Sequence, residues 1–215
     1  MPELRSKIPK RIGVLLSSET HWETIFNFYY IEKSGYMRLP IVSWPEKIDK
    51  DTIGARKKVH KDLASIEIID TEDVKTGSLK AVLISVGKNE FGELCNFEEK
   101  GEAFGIDMKL RAFLRAVYRK GLPIGAYGYG VPLLVKAVQG ISKTGPIVTV
   151  GNNPKLQAGI EAAGAQAIAT RPTEVIIDHT NKFVTSGGQL ASKRLTEVAE
   201  DCENMFKAIL ELIKE

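Results

Sequence analysis

The run Arg119-Lys-Gly-Leu-Pro-Ile-Gly-Ala-Tyr-Gly-Tyr-Gly-Val-Pro-Leu-Leu134 decides the fold. Pro123 to Tyr127 is a short, mostly apolar strand, and Leu133 to Val138 reads as helix. Between them Gly128 and Gly130 flank Tyr129, the composition of a sharp strand-to-helix turn that needs positive φ or close backbone approach. Upstream, Met108 to Lys120 places Leu110, Phe113, Leu114 and Val117 on one helical face, with Gly121 as the stop. The unit is therefore helix–strand–turn–helix.

The same alternation extends both ways. Ile12 to Ser17 reads as a buried strand, followed by a helix from Glu19 to Lys33 with Trp22, Ile25, Phe26, Tyr29 and Tyr30 at helical spacing. Ile41 to Trp44 is a second strand, Lys57 to Leu63 a short helical candidate, and Ile66 to Ile69 an edge strand. Ala81 to Val86 is apolar on both faces except for Ser85, the mark of a central parallel strand. Ile147 to Val150 leads into Asn153-Pro154, a helix cap followed by a favoured first residue, and that helix ends at Gly164. Glu174 to Asp178 and Lys182 to Thr185 form a hairpin around His179-Thr-Asn181. A final helix from about Leu190 turns Leu195, Val198, Met205, Ile209 and Ile213 inward. The pattern predicts one domain over residues 1–215: a doubly wound α/β fold of flavodoxin-like type, with a mostly parallel sheet and helices on both faces.

Composition narrows the function. The net charge of +3 argues against a nucleic-acid or anionic-membrane partner. No apolar run is long enough for a signal-peptide core or a membrane span, and the chain is expected to be cytoplasmic. Two cysteines, Cys95 and Cys202, make no disulfide framework and no zinc spacing, and the three histidines are isolated, so neither metal nor cofactor is expected. Gly87-Lys-Asn-Glu-Phe-Gly92 has Walker-like glycine spacing but continues into Glu93-Leu94, without the required Lys-Ser/Thr.

In such sheets ligands bind beyond the carboxyl ends of the strands. Those ends gather Glu19, His21 and Glu23; Ser85, Gly87, Lys88 and Asn89; Tyr127, Gly128 and Tyr129; Gly151-Asn152; and Ser186-Gly-Gly188. Acids in a helix's first turn need no catalytic role, because the helix dipole favours them there.

The Arg119–Leu134 string resembles the strand, elbow and helix of the ThiJ/PfpI superfamily, which has the class I glutamine amidotransferase-like fold. Thr149-Val-Gly-Asn152 with Gly159-Ile-Glu-Ala-Ala-Gly164, and Thr173 to Thr185, are similar to segments of its ElbB group. The resemblance implies a homodimer and a pocket at the elbow. It also implies a cysteine nucleophile, but in the family's G-A-I-C-I-A-P elbow the cysteine position corresponds here to Gly128. The family loop LPGGFG aligns with Ile84 to Asn89, where Val86 replaces one glycine, and the family acid falls on Thr20, with Glu19 and Glu23 nearby. The expected function is therefore a catalytically degenerate scaffold that binds a small molecule or another protein. Its expected pocket comprises Glu19, Ser85, Gly87, Lys88, Asn89, Tyr127, Gly128 and Tyr129. The alternative is a cysteine-independent glyoxalase- or lyase-like enzyme acting on small carbonyl compounds. In it Glu19 or Glu23 is the base, His21 assists, and Tyr127 or Tyr129 donates to the oxyanion.

Overall fold

The computed structural model describes residues 10–16, 22–45, 48, 50–54, 58 and 68–214. Glu19, His21 and nearly all of the helical candidate at 57–63 lie outside the described residues. The described strands are β1 (Arg11–Leu16), β2 (Met37–Val42), β3 (Ile69–Asp70), β4 (Leu79–Ser85), β5 (Ile124–Tyr127), β6 (Ile147–Val148), β7 (Gln166–Ala167), β8 (Val175–Asp178) and β9 (Phe183–Ser186). The helices used below are α1 (Trp22–Lys33), α2 (Lys88–Leu94), α3 (Phe97–Lys100), α4 (Met108–Arg119), α5 (Gly130–Val138), α6 (Pro154–Ala162) and α7 (Leu195–Lys214).

Seven strands form one sheet in the order β3-β2-β1-β4-β5-β9-β8, parallel except for the β8–β9 hairpin. Strand order runs outward from β1 in one direction and from β4 in the other, so the switch point lies between β1 and β4. One face of the sheet packs Leu15, Ile41, Ile84 and Ala126 against α2, α4, α5 and α6. The opposite face packs Ile12, Val14, Leu83 and Val184 against Val198, Met205, Phe206 and Ile209 of α7, with α1 alongside. The sheet is thus doubly wound.

Local chemistry accounts for several boundaries. Asp107 caps α4 by accepting from the Leu110 amide at 2.9 Å, and its buried stripe is Leu110, Phe113, Leu114 and Val117 as the spacing predicts. Asn153 caps α6 through the Leu156 amide at 3.1 Å, with Pro154 in the first turn. β2 begins earlier than expected and includes Pro40, which pairs with Val14 of β1. β3 reaches only Ile41 and Val42, so the outer edge of β2 is open at Pro40 and asks for no donor there.

Two expectations are corrected. β6 does not join the main sheet; it pairs in parallel with β7 in a two-stranded ladder. It sits beside the hairpin, where the Ile147 amide donates to Asp178 Oδ2 at 3.0 Å and, just past the strand, the Thr149 amide donates to Thr185 Oγ1 at 2.9 Å. The last helix starts at Leu195, not near Leu190, and Leu195 is exposed rather than inward. Residues Gly188–Leu190 form a separate turn of tighter helix.

Helix α1 is inside out. Its buried residues are Glu23, Thr24, Asn27 and Ile31, whereas Trp22, Ile25 and Tyr29 are exposed and Phe26 and Tyr30 half-buried. The buried polar groups find partners in the sheet. Thr24 and Ser85 share a hydrogen bond of 3.1 Å, and the Tyr127 hydroxyl donates to Asn27 Oδ1 at 2.8 Å. Among the described residues, no helix is long and apolar enough to cross a membrane.

Candidate functional site

β5 ends in the elbow. Gly128 takes φ +43°, its amide donates to Ser186 O of β9 at 3.0 Å, and the Val131 amide returns to Gly128 O at 3.2 Å to start α5. A Cβ on residue 128 would lie 3.1 Å from Gly187 O and 3.2 Å from the Leu190 side chain. A larger residue here meets both an unfavourable backbone region and crowded surroundings.

Opposite the elbow, the end of β4 delivers Val86 and Gly87, and the start of α2 brings Lys88 and Asn89. The third wall is the turn after β9, with Gln189, Leu190 and Lys193. Glu23 of α1 and the Tyr127–Tyr129 elbow complete a cavity of about 290 Å³. Of the residues predicted to line it, Gly87, Lys88, Asn89, Tyr127, Gly128 and Tyr129 do so. Ser85 is fully buried, bonded to Thr24, and does not line the cavity. Glu19 lies outside the described residues, and the acid that lines the cavity is Glu23.

Two buried carboxyl groups hold the turn after β9. Glu23 is 4% exposed, and its Oε1 accepts from the Gln189 amide at 2.7 Å. Gly188, at φ +51°, passes so close to that oxygen that any Cβ would collide with it. Asp201 of α7 accepts from Ser186 Oγ at 2.7 Å and from the Gly188 backbone. Burial first, and then the nearby Glu23 charge, push the Asp201 carboxyl up to about 7, while the bonds from Ser186 and Gly188 act the other way. Burial, together with the surrounding Cys202, Asp201 and Glu23, raises Tyr127 well above the ordinary phenol value.

Neither thiol belongs to the cavity lining. Cys202 is fully buried in α7, its Sγ 4.0 Å from Glu23 O, and burial next to Glu23 and Asp201 keeps it protonated. Cys95 is buried at the end of α2 and donates to Phe91 O at 3.0 Å. Tyr127 is 1% exposed and spends its proton on Asn27, which turns its hydroxyl away from the oxyanion role considered above. Among the described residues, no group of three or more His, Cys, Asp or Glu is arranged to hold a metal ion.

Gln189, Leu190, Lys193 and Asp201 were not foreseen. The Gly187-Gly188 pair marked this strand end, and reading one residue further reaches Gln189. Asp201 sits three positions after the inward Val198, and an acid at an inward helical position is itself a signal.

The sheet order is that of an α/β fold shared with ThiJ/PfpI and amidotransferase-like proteins. An isoprenoid biosynthesis protein with an amidotransferase-like domain from Ehrlichia chaffeensis superposes with a TM-score of 0.78 at 15% identity, over 94% of this chain and 99% of that one. A rapid encystment protein from Francisella tularensis gives 0.63 at 16% identity, covering 95% and 99% of the two chains. A ThiJ/PfpI domain protein from Brachyspira murdochii gives 0.58 at 12% identity, covering 94% and 96%. No family model matches the sequence.

Proposed function

We propose that this protein is a ThiJ/PfpI-like, ElbB-like scaffold that binds a small molecule in the elbow cavity and performs no thiol chemistry. The observation that carries the reading is the chemistry of the lining: glycine at the elbow, and both cysteines buried away from the cavity. Without a thiolate or an activated hydroxyl at the elbow there is no covalent nucleophile to position. The walls nonetheless combine an apolar side of Val86 and Leu190 with a few charged groups, the usual make-up of a small-ligand site.

A thermal-shift screen of a small-molecule library tests this. A ligand at a hundred times its dissociation constant should add about 2.7 kcal/mol of stability. Hits should stabilise the protein, lose their effect in Leu190→Trp, which fills the cavity, and emerge chemically unchanged. A library without any such hit counts against the reading.

One observation favours a second reading. Glu23 is a buried carboxylate in the cavity wall, the placement of a general base for a cysteine-independent lyase. Methylglyoxal consumption by the wild type that survives Cys95→Ser/Cys202→Ser and disappears in Glu23→Gln would establish that enzyme in place of the scaffold.

A further inference from the structure

We infer that the ligand of the elbow cavity is a short aliphatic acid with a hydroxyl or amino group at its far end, carboxylate at the mouth and donor at the floor. The inference rests on the binding reading above and adds the chemistry of the ligand.

The cavity is electrically polar from end to end. Lys88 and Lys193 line it and are both exposed, so the two ammonium groups stand at the solvent side. Other lysines form ion pairs, such as Lys109 with Glu72, Lys155 with Glu98 and Lys207 with Glu203, and the Lys88 charge also acts on Glu98. Glu23 is the one acidic group among the described lining residues, and it belongs to the buried end together with Tyr127.

Each end selects a different group. Two lysines at the mouth attract an anion, and a carboxylate can accept from both. A carboxylate wall such as Glu23 only accepts, so whatever reaches it must donate, as a hydroxyl or an ammonium does; a carbonyl or a second acid would be repelled. Among the described lining residues two cations stand against one anion, a balance that favours an anionic ligand. Val86 and Leu190 offer the apolar side along which a short carbon chain can lie. The volume of about 290 Å³ is at the small end of ligand pockets, which restricts that chain to a few carbons.

Isothermal titration calorimetry with γ-hydroxybutyrate and γ-aminobutyrate, against butyrate and the corresponding terminal diol, tests the inference. Butyrate lacks the donor and the diol lacks the charge. At least one bifunctional acid should bind about tenfold or more tightly than either control. That preference should vanish in Lys88→Met/Lys193→Met, whose side chains are exposed and whose loss leaves the fold intact. Equal affinity for all four compounds, no heat from either bifunctional acid, or tighter binding of inorganic phosphate would overturn it. Library hits that Leu190→Trp abolishes, alongside silent bifunctional acids, would sink this ligand class and leave the binding reading standing. A library with no hits removes both.

Discussion

The amide of Gln189 donates to Glu23 Oε1 at 2.7 Å, tying the turn after β9 to the first helix across 166 positions of sequence. One wall of the cavity is therefore held in place by a carboxylate that also lines it.

Removing that acceptor should loosen the turn. Glu23→Ala leaves a part-buried amide unpaired and should cost about 1–3 kcal/mol, whereas Glu23→Gln retains an acceptor oxygen and should cost less. Urea unfolding with an unchanged denaturant slope checks the order. An alanine variant as stable as the wild type would show that the bond does not hold the turn.

The second carboxyl makes stability depend on pH. Asp201 rises from 3.8 to about 7 on folding, so between those values the folded protein keeps a proton that the unfolded chain has released. The stability slope with pH is then negative: this contribution is greatest at low pH, is lost as pH rises through about 7 and is flat above. Between about pH 5 and pH 8 the loss attributable to Asp201 should be about 2–4 kcal/mol. Asp201→Asn, compared with the wild type in urea melts across that range, should flatten the dependence. A variant with the wild-type slope would assign the dependence to other groups.

At the elbow, Gly128→Ala and Gly128→Cys should each fold and lose about 1–3 kcal/mol, because φ is positive there. The contact with Gly187 O adds to that cost. We expect Gly128→Cys to show no thiol-dependent methylglyoxal turnover. Turnover appearing only in that variant would mean that the surrounding groups can still serve a nucleophile, contrary to the scaffold reading.

The exposed side of α1 bears on assembly. Trp22, Ile25 and Tyr29 recur along one face at 50%, 42% and 55% exposure. We propose that a second copy of the chain covers this face as a two-fold dimer. Light scattering at micromolar concentration should give the dimer mass for the wild type and the monomer mass for Trp22→Glu/Tyr29→Glu. A wild-type monomer would refute it.

Much of the fold is legible in the sequence because its elements are strongly periodic and well punctuated. The stripe of α4, the Asn153-Pro154 start of α6 and the β8–β9 hairpin all follow from local pattern. The orientation of α1 does not, for a physical reason. Periodicity tells which side chains share a face, but not which face meets the sheet. Glu23, Thr24 and Asn27 turn inward because Gln189, Ser85 and Tyr127 supply partners from distant segments. β6 leaves the main sheet for a similar reason: two residues carry too little pattern to select one ladder over another. Within the site, the elbow and the β4 loop are visible as glycine turns. Lys193 and Asp201 enter only through the packing of α7 and the turn before it.

The inside-out helix also gives the molecule two optically distinct indoles. Of its two tryptophans, Trp22 is half in solvent on α1 and Trp44 is 6% exposed within the core cluster against which α1 packs. Wet and buried indoles emit at different wavelengths, so the red component belongs to the α1 surface and the blue component to the interior. Quenching of the red component by acrylamide follows what covers α1, and a red shift of the blue component follows loss of the core. Assembly and unfolding can therefore be read separately in one unlabelled sample.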